Sequence, residues 1–156
     1  MKSLALIPPS FLLLVSTSLA DWPFWRGDLA GSGVTTETKL PTEWDKEKNV
    51  KWRVALSEAG NSSPVISGDR IFLTQPNTEK KLRGLLCLDR KSGKTLWEKS
   101  VEYDAKERTH RTNHFCSSSP ATDGERVIVA YGSAGIFCGS KISAQSLMSG
   151  ATEAPP

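Results

Sequence analysis

The chain is 156 residues long, 24 % charged, and carries a net charge of +3 with both signs mixed along its length. That is the size of one ordinary domain, and it lacks the clustered basic face of a nucleic-acid binder. Past residue 20 no second long apolar run follows, so a soluble mature chain without an integral membrane segment is expected.

Residues 1–20 read as a secretory signal peptide. Lys2 is the positive start, Phe11-Leu12-Leu13-Leu14-Val15 the apolar core, and Ser18-Leu19-Ala20 the small-x-small site, with cleavage expected after Ala20. The apolar run is too short to span a bilayer, and no Cys follows the cleavage point to take a lipid. A periplasmic or secreted location follows. Export exposes Cys87, Cys116 and Cys138 to an oxidising compartment. An odd count leaves at least one thiol over, none has metal-ligand spacing, and the disulfide state stays open. Cys87 and Cys138 read as small buried hydrophobes in strands.

After an extended segment, residues 21–48, comes a region of internal repetition, residues 49–138. Ser62-Ser63-Pro64-Val65-Ile66-Ser67-Gly68-Asp69-Arg70-Ile71-Phe72-Leu73 is echoed by Ser118-Ser119-Pro120-Ala121-Thr122-Asp123-Gly124-Glu125-Arg126-Val127-Ile128-Val129. Gly84-Leu85-Leu86-Cys87 matches Gly135-Ile136-Phe137-Cys138, and Val50-Lys51-Trp52-Arg53-Val54 matches Thr95-Leu96-Trp97-Glu98-Lys99. The spacing from Trp52 to Trp97 is that of one four-stranded propeller blade.

The pieces of the unit predict strands in order. Ser63-Pro64-Val65-Ile66 is a short first strand, with Pro near its start where no ladder donor is missed. Ser67 to Arg70 is a tight turn in which Gly68 is free to take positive φ. Arg70-Ile71-Phe72-Leu73-Thr74 is a buried strand, residues 75–83 a polar hairpin loop, and Leu85-Leu86-Cys87-Leu88-Asp89 the third strand. Residues 89–94 form a turn in which Asp89 bonds the backbone two residues on. Thr95-Leu96-Trp97-Glu98-Lys99 is an outer strand whose charges blunt an exposed edge. Residues 104–113 are polar and charged, and read as the connection between blades. The expected fold class is therefore all-β, an incomplete β-propeller of four-stranded antiparallel blades, about one and a half of them.

Leu88-Asp89-Arg90-Lys91-Ser92-Gly93-Lys94-Thr95-Leu96-Trp97 resembles the signature of pyrroloquinoline-quinone-like (PQQ-like) propeller repeats. Asp21-Trp22-Pro23-Phe24-Trp25-Arg26-Gly27 and Leu40-Pro41-Thr42-Glu43-Trp44 resemble the mature start of exported members. The resemblance covers roughly residues 21–138. It implies that Trp52 and Trp97 pack between blades, at about 3–5 kcal/mol each if fully buried. It does not imply a bound quinone, since assembly-factor-type propellers bind proteins without a cofactor. Residues 139–156 depart from the pattern and read as a non-matching, disordered tail: no further signature follows Cys138, and 151–156 have a disordered composition. The reading is an N-terminal fragment, marginal alone because a blade buries both faces against neighbours.

Other motifs have plain explanations. Gly93-Lys94-Thr95 lacks the earlier Gly of a phosphate loop and leads into a strand. His110 and His114, with Cys116 nearby, have a spacing that zinc sites use on helices, but they fall in a loop beside Arg108 and Arg111. Asp89 and Glu98 share no pocket in which to do acid–base work. Lys80-Lys81-Leu82-Arg83 reads as a solvated loop. Asn61-Ser62-Ser63 fits an N-glycosylation pattern that matters only in a eukaryotic secretory pathway.

No residue is assigned a catalytic, cofactor-binding or metal-binding role. The function expected is an exported, non-catalytic propeller scaffold binding a protein or ligand, or associating with itself through an open blade face. One alternative is the N-terminal fragment of a PQQ-dependent dehydrogenase, which alone would call for PQQ and calcium. The other is a truncated gene product without function of its own.

Overall fold

A computed structural model describes residues 21–141 and the backbone of 148–150; residues 1–20, read above as a signal peptide, and the segments 142–147 and 151–156 lie outside the described residues. The chain forms two four-stranded antiparallel sheets. The first comprises β1 (Val65–Ser67), β2 (Arg70–Asn77), β3 (Leu82–Asp89) and β4 (Thr95–Glu102), and the second β5 (Ala121–Thr122), β6 (Arg126–Ala130), β7 (Ile136–Ser140) and β8 (Met148–Gly150). In each sheet the strands lie side by side in chain order. The all-β, incomplete-propeller expectation is met, with the second blade fuller than expected: Gly139 and Ser140 of β7 and the backbone of β8 pair in it, inside the stretch read as a tail, and among the described residues the two sheets close no ring.

The repeat is visible as register. Val65 pairs with Phe72 in the first sheet, and Ala121 with Ile128 in the second. The turn between β1 and β2 has Gly68 at φ +57 as its first central residue, as a two-residue hairpin requires. The duplicated Ser-Ser-Pro segments touch one another: the Ser63 N–H donates to the Ser119 hydroxyl at 2.9 Å.

One core lies between the blades. Val65, Phe72, Leu85 and Cys87 of the first sheet meet Val127, Val129, Tyr131 and Phe137 of the second, with Cys116 of the connection among them. Successive side chains on a strand point to opposite faces. Accordingly Leu73, Leu86 and Leu88 make a second cluster, backed by Ile71, on the other face of the first blade. The N-terminal segment joins both inner edges. Trp22 exchanges backbone bonds with Ile66 at 2.9 and 2.8 Å, and Thr122 N–H donates to the Pro23 carbonyl at 3.0 Å.

Local details differ from the sequence reading. The first strand starts at Val65, not Ser63. The hairpin spans only 78–81, because β2 runs on through Gln75, Pro76 and Asn77, which pair with Gly84, Arg83 and Leu82. Polar residues are held in these strand ends because Gln75 and Arg83 are buried by the neighbouring chain rather than solvated. Residues 50–54 form no strand, although they echo β4 in sequence. Asp89 bonds the backbone three residues on, at Ser92, as well as two residues on, at Lys91.

Candidate functional site

The signature turn at 89–94 is built around Asp89. Its carboxylate accepts from the Ser92 N–H at 2.6 Å and the Ser92 hydroxyl at 2.5 Å. The hydroxyl bond first, then the amide, holds the Asp89 carboxyl below its usual range. The turn closes through Gly93 N–H to the Asp89 carbonyl at 2.8 Å. Gly93 sits at φ +74 with its Cα against an indole: a Cβ there would lie 2.6 Å from Trp52 Cδ2. The same indole donates through Nε1 to the Arg90 carbonyl at 3.0 Å. Trp52 is thus a plug seated on the turn of the first blade.

Trp97, its sequence counterpart, occupies β4 opposite Cys87 and packs on Phe72 with ring centroids 5.9 Å apart. Its Nε1 is buried without a hydrogen-bond partner among the described residues. Neither Trp52 nor Trp97 is fully buried.

The connection between sheets carries the charge chemistry. Arg83, expected in solvent, is only 4 % exposed; its guanidinium lies 3.8 Å from the Phe115 ring centroid and pairs with Glu107 at 3.6 Å. Glu107 also accepts from the Ser133 N–H at 3.2 Å, which ties the connection to the second sheet. The sequence signal for this arrangement was the strand alternation of Arg83 with Leu82 and Gly84, hidden by the basic run before it.

The remaining sequence candidates are placed as follows. His110 is exposed and shares a 2.8 Å hydrogen bond between Nδ1 and the Thr112 hydroxyl. The His114 N–H donates to Asn61 Oδ1 at 3.1 Å. Cys116 is buried, and desolvation pushes its thiol up to about 11. Among the described residues, no group of three or more His, Cys, Asp or Glu side chains is placed to hold a metal ion. Asp89 is spent on its turn, while Glu98 is exposed in mid β4. Gly93-Lys94-Thr95 leads into β4, not a helix. All three cysteines are free; Cys87 is buried in the inter-blade core and Cys138 is half-buried in β7.

Two surfaces remain. On β6, Val127 and Val129 face the core while Ile128 between them is 46 % exposed; on β7, Phe137 faces the core and Ile136 is 46 % exposed. Ile128 pairs with Cys138, and Ala130 with Ile136, so the four share one outward face. Consecutive apolar residues mark a strand made to be covered on both sides. The other surface is a cleft of about 630 Å³ between the 41–52 segment and the 89–94 turn, with Trp44 and Trp52 in its walls.

Residues 27–153 match a family model described as outer membrane protein assembly factor BamB, a family of PQQ-like repeats. No curated protein matches the chain. No helix among the described residues is long and apolar enough to cross a membrane.

Proposed function

Since the chain belongs to the PQQ-like repeat family of the outer membrane protein assembly factor BamB, we propose that it is an exported, non-catalytic propeller scaffold that binds another protein of the cell envelope. The observation that carries this reading is the outward face of the second sheet, where Ile128 and Ile136 stand half-exposed beside Ala130 and Cys138. Apolar side chains grouped on one sheet face, outside the core, mark a surface built to be covered. The family description, outer membrane protein assembly factor BamB, supports a partner engaged in assembling the outer membrane. In this reading the first twenty residues direct export and are removed, and the blades hold neither quinone nor calcium.

Photo-crosslinking from position 128 in cells tests it. Adducts with an outer-membrane assembly protein, lost with Ile136→Lys, are expected. Adducts only with a second copy of the chain would replace a heterologous partner by self-association. A mature N-terminus at Asp21 in the extracytoplasmic fraction is the result expected for export. Calcium-dependent PQQ uptake with dye reduction would overturn the non-catalytic reading.

A further inference from the structure

We propose that the cleft between the 41–52 segment and the signature turn of the first blade is a docking groove for an extended acidic peptide carrying an aromatic side chain. The cleft, about 630 Å³ in volume, has an apolar wall of Pro41, Trp44, Val50 and Trp52. Its rim carries three cations, Lys51, Arg90 and Lys91, against a single carboxylate, Asp69. Trp44 is 72 % exposed. Tryptophan and arginine dominate the energetics of protein recognition, and this indole is not isolated but stands in a cleft wall with Pro41, Val50 and Trp52.

The groove is preorganised. Trp52 is fixed by its bond to the Arg90 carbonyl at 3.0 Å, and the Arg90 N–H is fixed on the Asp69 carbonyl at 2.9 Å. The Arg90 guanidinium reaches the Gly68 carbonyl at 3.4 Å. A floor that is already ordered loses little entropy on binding, so contacts made on it are retained as affinity. Lys51 and Lys91 are both exposed and flank this floor, giving a positive field that selects acidic partners and speeds their encounter. A neutral ligand would leave that field uncompensated. A flat anionic membrane would reach the rim lysines but not the indole wall.

This groove is lined by the first blade and the N-terminal segment, so it is separate from the outward face of the second sheet. The two proposals can fail independently.

The test is fluorescence anisotropy of a labelled peptide, Glu-Asp-Phe-Asp-Glu, titrated with the full chain, beside its charge-reversed counterpart Lys-Lys-Phe-Lys-Lys. The acidic peptide should bind, and raising ionic strength from about 0.05 to about 0.5 M should weaken it. Lys51→Glu with Lys91→Glu should lower affinity by roughly tenfold or more, and Lys51→Gln with Lys91→Gln by less. Trp44→Ala should lower it by roughly tenfold. Ile128→Lys should leave it unchanged. All the substituted side chains are exposed, and circular dichroism is the check that each variant folds. Equal binding of the reversed peptide, no binding of the acidic one, or wild-type affinity in the Lys→Glu pair overturns the proposal. So does binding to anionic phosphatidylglycerol vesicles without binding to the peptide, which would make the rim a lipid contact.

Discussion

The indole N–H of Trp52 donates to the carbonyl of Arg90 across 3.0 Å, joining residues 38 apart in sequence. The bond seats the Trp on Gly93, whose missing side chain is what admits the ring. Gly93→Ala should therefore cost about 2–4 kcal/mol, from positive-φ strain plus a forced displacement of the indole. Gly68→Ala is the control: φ is +57, but a Cβ there meets nothing within 4 Å, so strain of about 1 kcal/mol acts alone. In a Trp52→Ala background the excess cost at Gly93 should vanish. Urea unfolding of the four variants measures this cycle; equal costs at Gly68 and Gly93 would remove the Trp52 contact from the explanation.

The two repeat tryptophans should respond differently to loss of the ring nitrogen. Trp52→Phe breaks the hydrogen bond made to the Arg90 carbonyl, for about 1–2 kcal/mol. Trp97→Phe removes a buried donor that has no partner among the described residues and keeps an aromatic ring on Phe72. Its cost should be below about 1 kcal/mol. Neither residue reaches the fully buried limit that sequence reasoning allowed, so truncation to Ala should fall short of the largest core losses. Parallel denaturation curves with unchanged slopes would establish the order.

The fold was legible because its signals are local. Gly68 between alternating apolar runs makes a hairpin in any context, and the Ser-Ser-Pro duplication announces two copies of one unit. What was not legible depends on distant chain. The alternation through Gln75 and Pro76 belongs to β2 only because other segments cover them. Arg83 looked solvated beside Lys80 and Lys81, and its burial is decided by Phe115 and Glu107, both beyond the blade. The Trp52 stretch shares its pattern with β4, yet is held by a side chain on a turn rather than by a ladder. The cleft at Trp44 joins segments whose proximity no periodicity encodes.

The thiols should divide by burial. Desolvation holds Cys87 and Cys116 at about 11, above the usual 9.0, so thiol reagents near pH 8 should label half-buried Cys138 first. The other two should react only on unfolding, since the thiolate is the reactive form. A raised native value means the folded state keeps its proton while the unfolded chain loses it. Their contribution is therefore full below about pH 9 and is lost as pH rises toward 11. Mass spectrometry of pulse-labelled protein reads the order; rapid labelling of Cys116 in the folded chain would contradict its place in the core.

Acid should act at the opposite end, on Asp89. Its native carboxyl titrates below the usual 3.8 because Ser92 donates to it twice. The stabilisation is present above that usual value and is lost as pH falls through the lowered one. Ser92→Ala removes the hydroxyl and should move the Asp89 midpoint upward, while the amide bond keeps part of the depression. Carbon-detected carboxyl titration follows it directly, and an unmoved midpoint would assign the depression to the backbone alone.

The buried Arg83 gives the sharpest asymmetry. Glu107, 19 % exposed, pairs with it at 3.6 Å, and Phe115 covers its other face. Removing the carboxylate strands a cation that is almost wholly out of water, whereas removing the cation strands a carboxylate that still reaches solvent and the Ser133 N–H. Breaking a buried pair is costly chiefly through the charge left behind. Glu107→Ala should therefore destabilise by about 3 kcal/mol, the lower end of such losses given the long contact. Arg83→Met fills similar space without charge and should cost about 1 kcal/mol, mainly the lost cation–π contact with Phe115. The double variant should match Arg83→Met, because with the cation gone Glu107 has little left to neutralise. Chemical denaturation of the three proteins decides it: an additive double variant would show that the two side chains act separately, and that the link between the connection and the second sheet runs through Glu107 and Ser133 alone.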